Sequence, residues 1–180
     1  MEKITLKTCW SIQDKQAWAH ALKVGYLEGN PDYICIEDFY DSYEWMKKQM
    51  RKRLPSYNDE QPIWLWLKKP DMRYAAHAER GTEIVRLTIE LPEETVLVSD
   101  FDKWHIVLSE HFCSDTEEED DLFEQEKLEI SKEESWERIF DLTRPRDPEW
   151  WGKEENAVYQ AVTGRIYLDS IKKVEHFIAR

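Results

Sequence analysis

The run VLVSDFDKWHIVL, residues 96–108, carries two periodicities in immediate succession. Val96, Leu97 and Val98, with Thr95 ahead of them, form an apolar and β-branched run that reads as a buried strand. Ser99 and Asp100 break that run and offer N-cap oxygens, and Ser99-x-x-Asp102 approximates a capping box with Asp in place of Glu. Phe101, Trp104, His105 and Leu108 then recur at helical spacing. A strand that passes through polar residues into an amphipathic helix gathers free backbone N–H groups, which suits a binding site. The same string also reads as a capped structural helix with a core-facing Trp.

The 180 residues around this run are expected to form one domain, 1–180, large enough to bury a core without covalent staples. Nine Trp and 13% aromatic residues favour a packed protein, or one with an aromatic-lined pocket, over disorder. A formal charge of −13 opposes general binding to a nucleic-acid backbone. One basic block stands against it: Lys47, Lys48, Arg51, Lys52 and Arg53. Cys9, Cys35 and Cys113 include no CxxC pair, which argues against a disulfide framework or a zinc site and suits a reducing cytosol. The N-terminal MEKITLKTCW lacks an apolar signal core, and no run approaches the roughly 20 apolar residues of a membrane span. The expectation is an acidic cytoplasmic protein.

Along the chain, residues 4–12 alternate loosely as a first strand, and Asp14 caps a helix that Gly25 ends. Residues 37–54 are predicted helical, since Phe39, Tyr43, Met46, Met50 and Leu54 share a face and basic residues fill the last turns, where the helix dipole favours cations. An anion-binding patch is the rival reading of that block. Residues 62–67 read as a short strand, apolar on both faces and therefore central in a sheet. Residues 82–91 alternate most cleanly of all. Residues 114–134, with Glu117-Glu118-Glu119-Asp120-Asp121, read as a mobile acidic insertion; the turn-forming Gly and spaced ligands of a calcium loop are missing. A short helix at 135–142, a strand at 156–163, a helical turn at 168–173 and a final strand at 174–178 follow. Strands and helices mix without βαβ alternation. The fold class is α+β, with small mixed or antiparallel sheets flanked by helices.

Several of these pieces together resemble an uncharacterised bacterial family, the domain of unknown function numbered 3841. They are TCWSIQ with Trp18 and Gly25-Tyr26-Leu27, Tyr43-Glu44-Trp45-Met46, Pro62-Ile63-Trp64-Leu65-Trp66, Pro70-Asp71-Met72-Arg73, VLVSDFDKWHIVLS, Ser135-Trp136-Glu137-Arg138-Ile139-Phe140, and the closing VYQAV with Ile171, Val174 and Phe177. In layout, residues 8–27 are similar to the opening of ADP-ribosyltransferases. The stretch around Gln160-Ala161-Val162 is similar to where those enzymes carry a catalytic Glu. That second resemblance implies two small packed sheets, a cleft for NAD or another nucleotide, and ribosyl transfer. Trp10 stands where many members have His or Arg, and Gln160 where Glu is expected. An amide holds a ribose hydroxyl but carries no charge to steady an oxocarbenium ion, so either catalysis is weak or absent or another acid, such as Asp100 or Glu155, does the work.

Two functions follow from these readings. The first is an ADP-ribosyltransferase-like domain with Gln160, Asp100 and His105 as catalytic candidates and Trp10, Gln13, Arg73, Ser99 and Trp104 around the nucleotide. Each candidate has a structural rival. His105 reads equally as a hydrogen-bonded core residue, Asp100 and Asp102 as cap and surface acids, Arg73 as the ion-pair partner of Asp71 or Glu79, and Gln160 as a buried amide in need of partners. The second function is a non-enzymatic interaction or regulatory module whose acidic surface binds a basic protein. Metal catalysis is disfavoured, since His105 and His111 are the one His or Cys pair near ligand spacing and i, i+6 does not share a helix face.

Overall fold

The computed structural model describes residues 5–30, 39–74 and 77–180. Its strands are β1 (Leu6–Asp14), β2 (Tyr26–Leu27), β3 (Ile63–Trp66), β4 (Glu83–Pro92), β5 (Leu97–Asp100), β6 (Tyr159–Thr163), β7 (Ile166–Tyr167) and β8 (Ile171–Ile178). The helices are α1 (Lys15–Val24), α2 (Tyr40–Arg53), α3 (Phe101–Leu108), α4 (Glu117–Glu124) and α5 (Lys132–Trp136), with short 3-10 turns between them. Six strands form one sheet in the order β5-β6-β3-β1-β4-β8, and β2 pairs with β7 in a separate ribbon. The fold is α+β. Among the described residues no helix is long and apolar enough to cross a membrane.

The chain divides into two compact units. One comprises Met1–Cys35, Trp45–Leu97 and Ala161–Arg180, the other Ile36–Glu44 and Val98–Gln160. In the first, β1 runs antiparallel to β4 from Leu6↔Pro92 to Asp14↔Ile84, and β4 antiparallel to β8. Asp14 closes β1 and starts α1 by accepting from the Ala17 N–H at 2.7 Å. Gly25, at φ +90°, ends that helix in the left-handed conformation that glycine adopts without strain. Met46, Met50, Leu65, Val85, Leu87 and Ile89 are fully buried. Burying a side chain of that size removes it from water for about 1.5–3 kcal/mol. The alternation expected of β4 is only half observed. Ile84 and Arg86 on the other face are buried too, because Arg86 is neutralised there by Glu175 at 2.9 Å and by the Pro70 carbonyl.

The start of the first strand at Ile4, the stop at Pro31, residues 37 and 38 of the expected second helix, and Cys35 lie outside the described residues. The basic end of α2 follows its helix C-terminus as expected, and Lys47 and Arg51 additionally face Asp59 at 4.0 and 2.8 Å. Ser99 neither ends the strand nor caps the helix, contrary to expectation. β5 continues through Ser99 and Asp100, and Asp100 alone caps α3, accepting from the Lys103 N–H at 3.0 Å. Within 114–134, residues 117–124 form α4. Thr116 caps it, and Asp115 and Glu119 at its start are held in ion pairs.

Candidate functional site

The second unit is built around a neutral lattice of charge. Lys103, Arg138, Arg144 and Arg146 meet four carboxylates, Asp100, Asp102, Asp115 and Glu119. Asp100 Oδ1 caps α3, and its Oδ2 accepts from Arg146 Nη1 at 2.8 Å. Arg146 Nη2 donates to Asp102 at 2.6 Å and to the Trp151 carbonyl at 2.7 Å, so one guanidinium ties the start of α3 to the Trp150-Trp151 pair. Arg138 grips Glu119 through two nitrogens at 2.8 Å, with its guanidinium carbon 5.3 Å from the Phe112 ring centre. Burial pushes the Asp115 carboxyl up, but the Arg144 hydrogen bond and the charges of Lys103, Arg144 and Arg138 outweigh it and hold the group below its ordinary range. Glu119 is held low in the same way, burial opposing and Arg138 prevailing.

This lattice leaves a cavity of about 350 Å³ beside it, walled by Phe112, Phe123, Trp150, Trp151 and Ile106, with His111, Ser114, Asp120 and Glu124 as its polar members. Phe112 and Phe123 stack in parallel, 4.0 Å between centres and 8° between planes. Both indoles are oriented by one buried residue. Trp150 Nε1 donates to Ser114 Oγ at 3.2 Å, and Trp151 Nε1 to the Ser114 carbonyl at 3.0 Å. Asp147 Oδ1 accepts from the N–H groups of Glu149 and Trp150, fixing the turn that presents the rings. Asp120 and Glu124 lie four residues apart on α4 and so on one face. Neither makes an ion pair among the described residues, whereas their neighbours Asp115 and Glu119 are both consumed. Aromatic faces beside unpaired carboxylates attract a cation.

The residues predicted from sequence fall into both units. In the first, Trp10 is half-buried on β1 opposite Trp66 and Thr88, and Gln13 donates to Ser11 Oγ at 2.8 Å. Arg73 is 79% exposed and grips Asp71 through Nε and Nη2, which draws the Asp71 carboxyl down to about 2. In the second, Trp104 is buried and meets Tyr43 edge-on at 5.9 Å. His105 does not lie on the apolar face. It is exposed, its Nδ1 2.8 Å from the Phe101 carbonyl, because the buried stripe of α3 runs through Lys103, Trp104 and Val107. Asp100 is committed to the cap and to Arg146 rather than free as an acid.

Gln160 and Ser99 are the two that lie on neighbouring strands, β6 and β5. Phe101 N–H donates to the Val158 carbonyl at 2.9 Å. Ser99 and Gln160 are both buried, and among the described residues Ser99 Oγ and Gln160 Nε2 have no hydrogen-bond partner. None of the four cavities described in the two units is lined by any of the eight predicted residues. Among the described residues no group of three His, Cys, Asp or Glu could hold a metal ion.

The residues that build the aromatic cavity, Arg146, Ser114, Trp150, Trp151 and the Asp120/Glu124 pair, were not among those that the sequence singles out. Their one visible signal is the i, i+4 spacing of two acids ahead of a Trp-Trp-Gly turn. No curated protein and no solved structure matches the chain. The family model described as Domain of unknown function (DUF3841) matches residues 8–132, more than half of the sequence, and the chain belongs to that family.

Proposed function

We propose that this chain is a non-enzymatic interaction module that binds a basic protein partner on its second unit. The observation that carries the reading is the cavity of four aromatic rings whose two acids, Asp120 and Glu124, lack ion-pair partners among the described residues while the carboxylates beside them are neutralised from within. The net charge of −13 adds long-range attraction for such a partner and raises its rate of encounter. The test is a binding titration with synthetic peptides of equal length, one basic and one acidic, at several salt concentrations. The basic peptide should bind, and more weakly as salt rises. Equal binding of both peptides, or binding indifferent to salt, would overturn the reading.

A second reading, a nucleotide-binding domain of ADP-ribosyltransferase type with NAD as its ligand, is favoured by one observation. Gln160, at the position where that resemblance expects a catalytic acid, has a buried amide nitrogen with no partner among the described residues, and the same holds for the Ser99 hydroxyl on the neighbouring strand. An unmet buried donor costs about 1–3 kcal/mol, which a ligand oxygen would relieve. Thermal-shift titration with oxidised nicotinamide dinucleotide, with Gln160→Ala alongside, decides it. A dose-dependent rise in midpoint abolished by the substitution supports a cleft, and no rise at millimolar ligand removes it.

A further inference from the structure

The second unit satisfies a guanidinium twice in one manner. Arg138 lies between Asp115 and Glu119 and faces the Phe112 ring at 5.3 Å. Arg146 lies between Asp100 and Asp102 and faces the Trp151 ring at 5.9 Å. Each grouping consists of two carboxylates and one aromatic face. A third grouping, Asp120 and Glu124 with Trp150 and Phe123 in the same cavity, has the carboxylates and the rings but no arginine of its own among the described residues.

We infer that the occupant of this third grouping is an arginine side chain of the basic partner. The inference rests on the interaction-module reading and names its ligand. A planar guanidinium stacks on flat rings, and its fork of five donors serves two carboxylates at once. The lysine ammonium is a compact, strongly hydrated point charge that gains less from either. Position on the helix adds to the preference for a cation. Glu124 ends α4, which has no basic residue in its last turn, so the negative end of the helix dipole and the carboxylate reinforce each other.

The experiment compares a fluorescein-labelled peptide of alternating Gly and Arg with its Gly–Lys counterpart of equal length and charge, by fluorescence anisotropy on the full chain. The probes are titrated with wild type, Trp150→Ala, Trp150→Phe and the double variant Asp120→Asn/Glu124→Gln, each checked for native circular dichroism. The Arg peptide should bind about tenfold more tightly than the Lys peptide. Both Trp150→Ala and the double variant should close that gap, and Trp150→Phe should retain most of it. Equal affinity for the two peptides, or an arginine preference that survives both the Ala and the double variant, overturns the inference while leaving basic-partner binding intact. Failure of both peptides to bind removes the underlying reading as well.

Discussion

Replacing Arg146 with Met isolates what holds the Trp150-Trp151 turn in place. The guanidinium is 6% exposed, and its partner Asp100 is 9% exposed at the side chain. Removing it leaves the Asp100 carboxylate, among the described residues, with only the Lys103 N–H as donor, and uncovering one member of a buried pair costs about 3–5 kcal/mol. Asp102 adds little, because it is 42% exposed and water replaces its partner. For a chain of this size about 2–4 °C of melting temperature accompanies each kcal/mol, so the midpoint should fall by on the order of 10 °C. The assay is thermal unfolding followed by near-ultraviolet circular dichroism. Asp100→Asn combined with Arg146→Met removes the stranded charge and should recover part of the loss. A fall of less than about 2 °C for Arg146→Met, or a double variant no more stable than the single one, would show that the pair does not hold the turn.

Three other features give separate tests. Hydrogen bonds from Lys173 and then Arg86 hold the Glu175 carboxyl at about 2, below its ordinary 4.5. Its contribution is therefore fully present above pH 4.5 and lost as pH falls through about 2. Glu175→Gln should lower the proton uptake on acid unfolding in that window by up to about one proton; an unchanged acid limb contradicts this. A Cβ on Gly29 would lie 2.7 Å from the Pro62 carbonyl oxygen and 3.0 Å from that of Gln61, so Gly29→Ala should cost about 1–3 kcal/mol in a denaturant titration. Burial pushes the Cys9 and Cys113 thiols up to about 11 and 12, and neither should react with a disulfide reagent at about pH 8 until the protein unfolds.

Much of the fold was legible because local chemistry and tertiary context agreed. Asp14 and Gly25 bracket α1 where capping rules put them. Apolar residues on both faces of β3 mark a strand with neighbours on either side, β6 and β1. The site was less legible because its decisive contacts are long-range in sequence. Arg146 reaches back to Asp100 and Asp102, and the two indoles to Ser114. No periodicity encodes such a pairing. His105 misled because helical spacing alone fixes neither edge of a buried stripe. Over α3 the stripe is displaced to Lys103, whose ammonium meets Asp115 and lies 5.5 Å from the Trp151 ring centre, while its stem packs as an apolar chain. The acidic run conceals two kinds of carboxylate, since Glu119 meets an arginine and Asp120, its immediate neighbour, turns to the cavity.

That a cation enters the cavity between α4 and the Trp150-Trp151 turn is tested most directly by a nitrogen-15 spectrum of the indole N–H groups during titration with the Gly–Arg peptide. The chain has nine Trp, so the perturbed ones identify the place. Saturable shifts are expected at Trp150 and Trp151, and they should be lost in Asp120→Asn/Glu124→Gln. Saturable binding that shifts other indoles and leaves these two unmoved would contradict a cation site in this cavity.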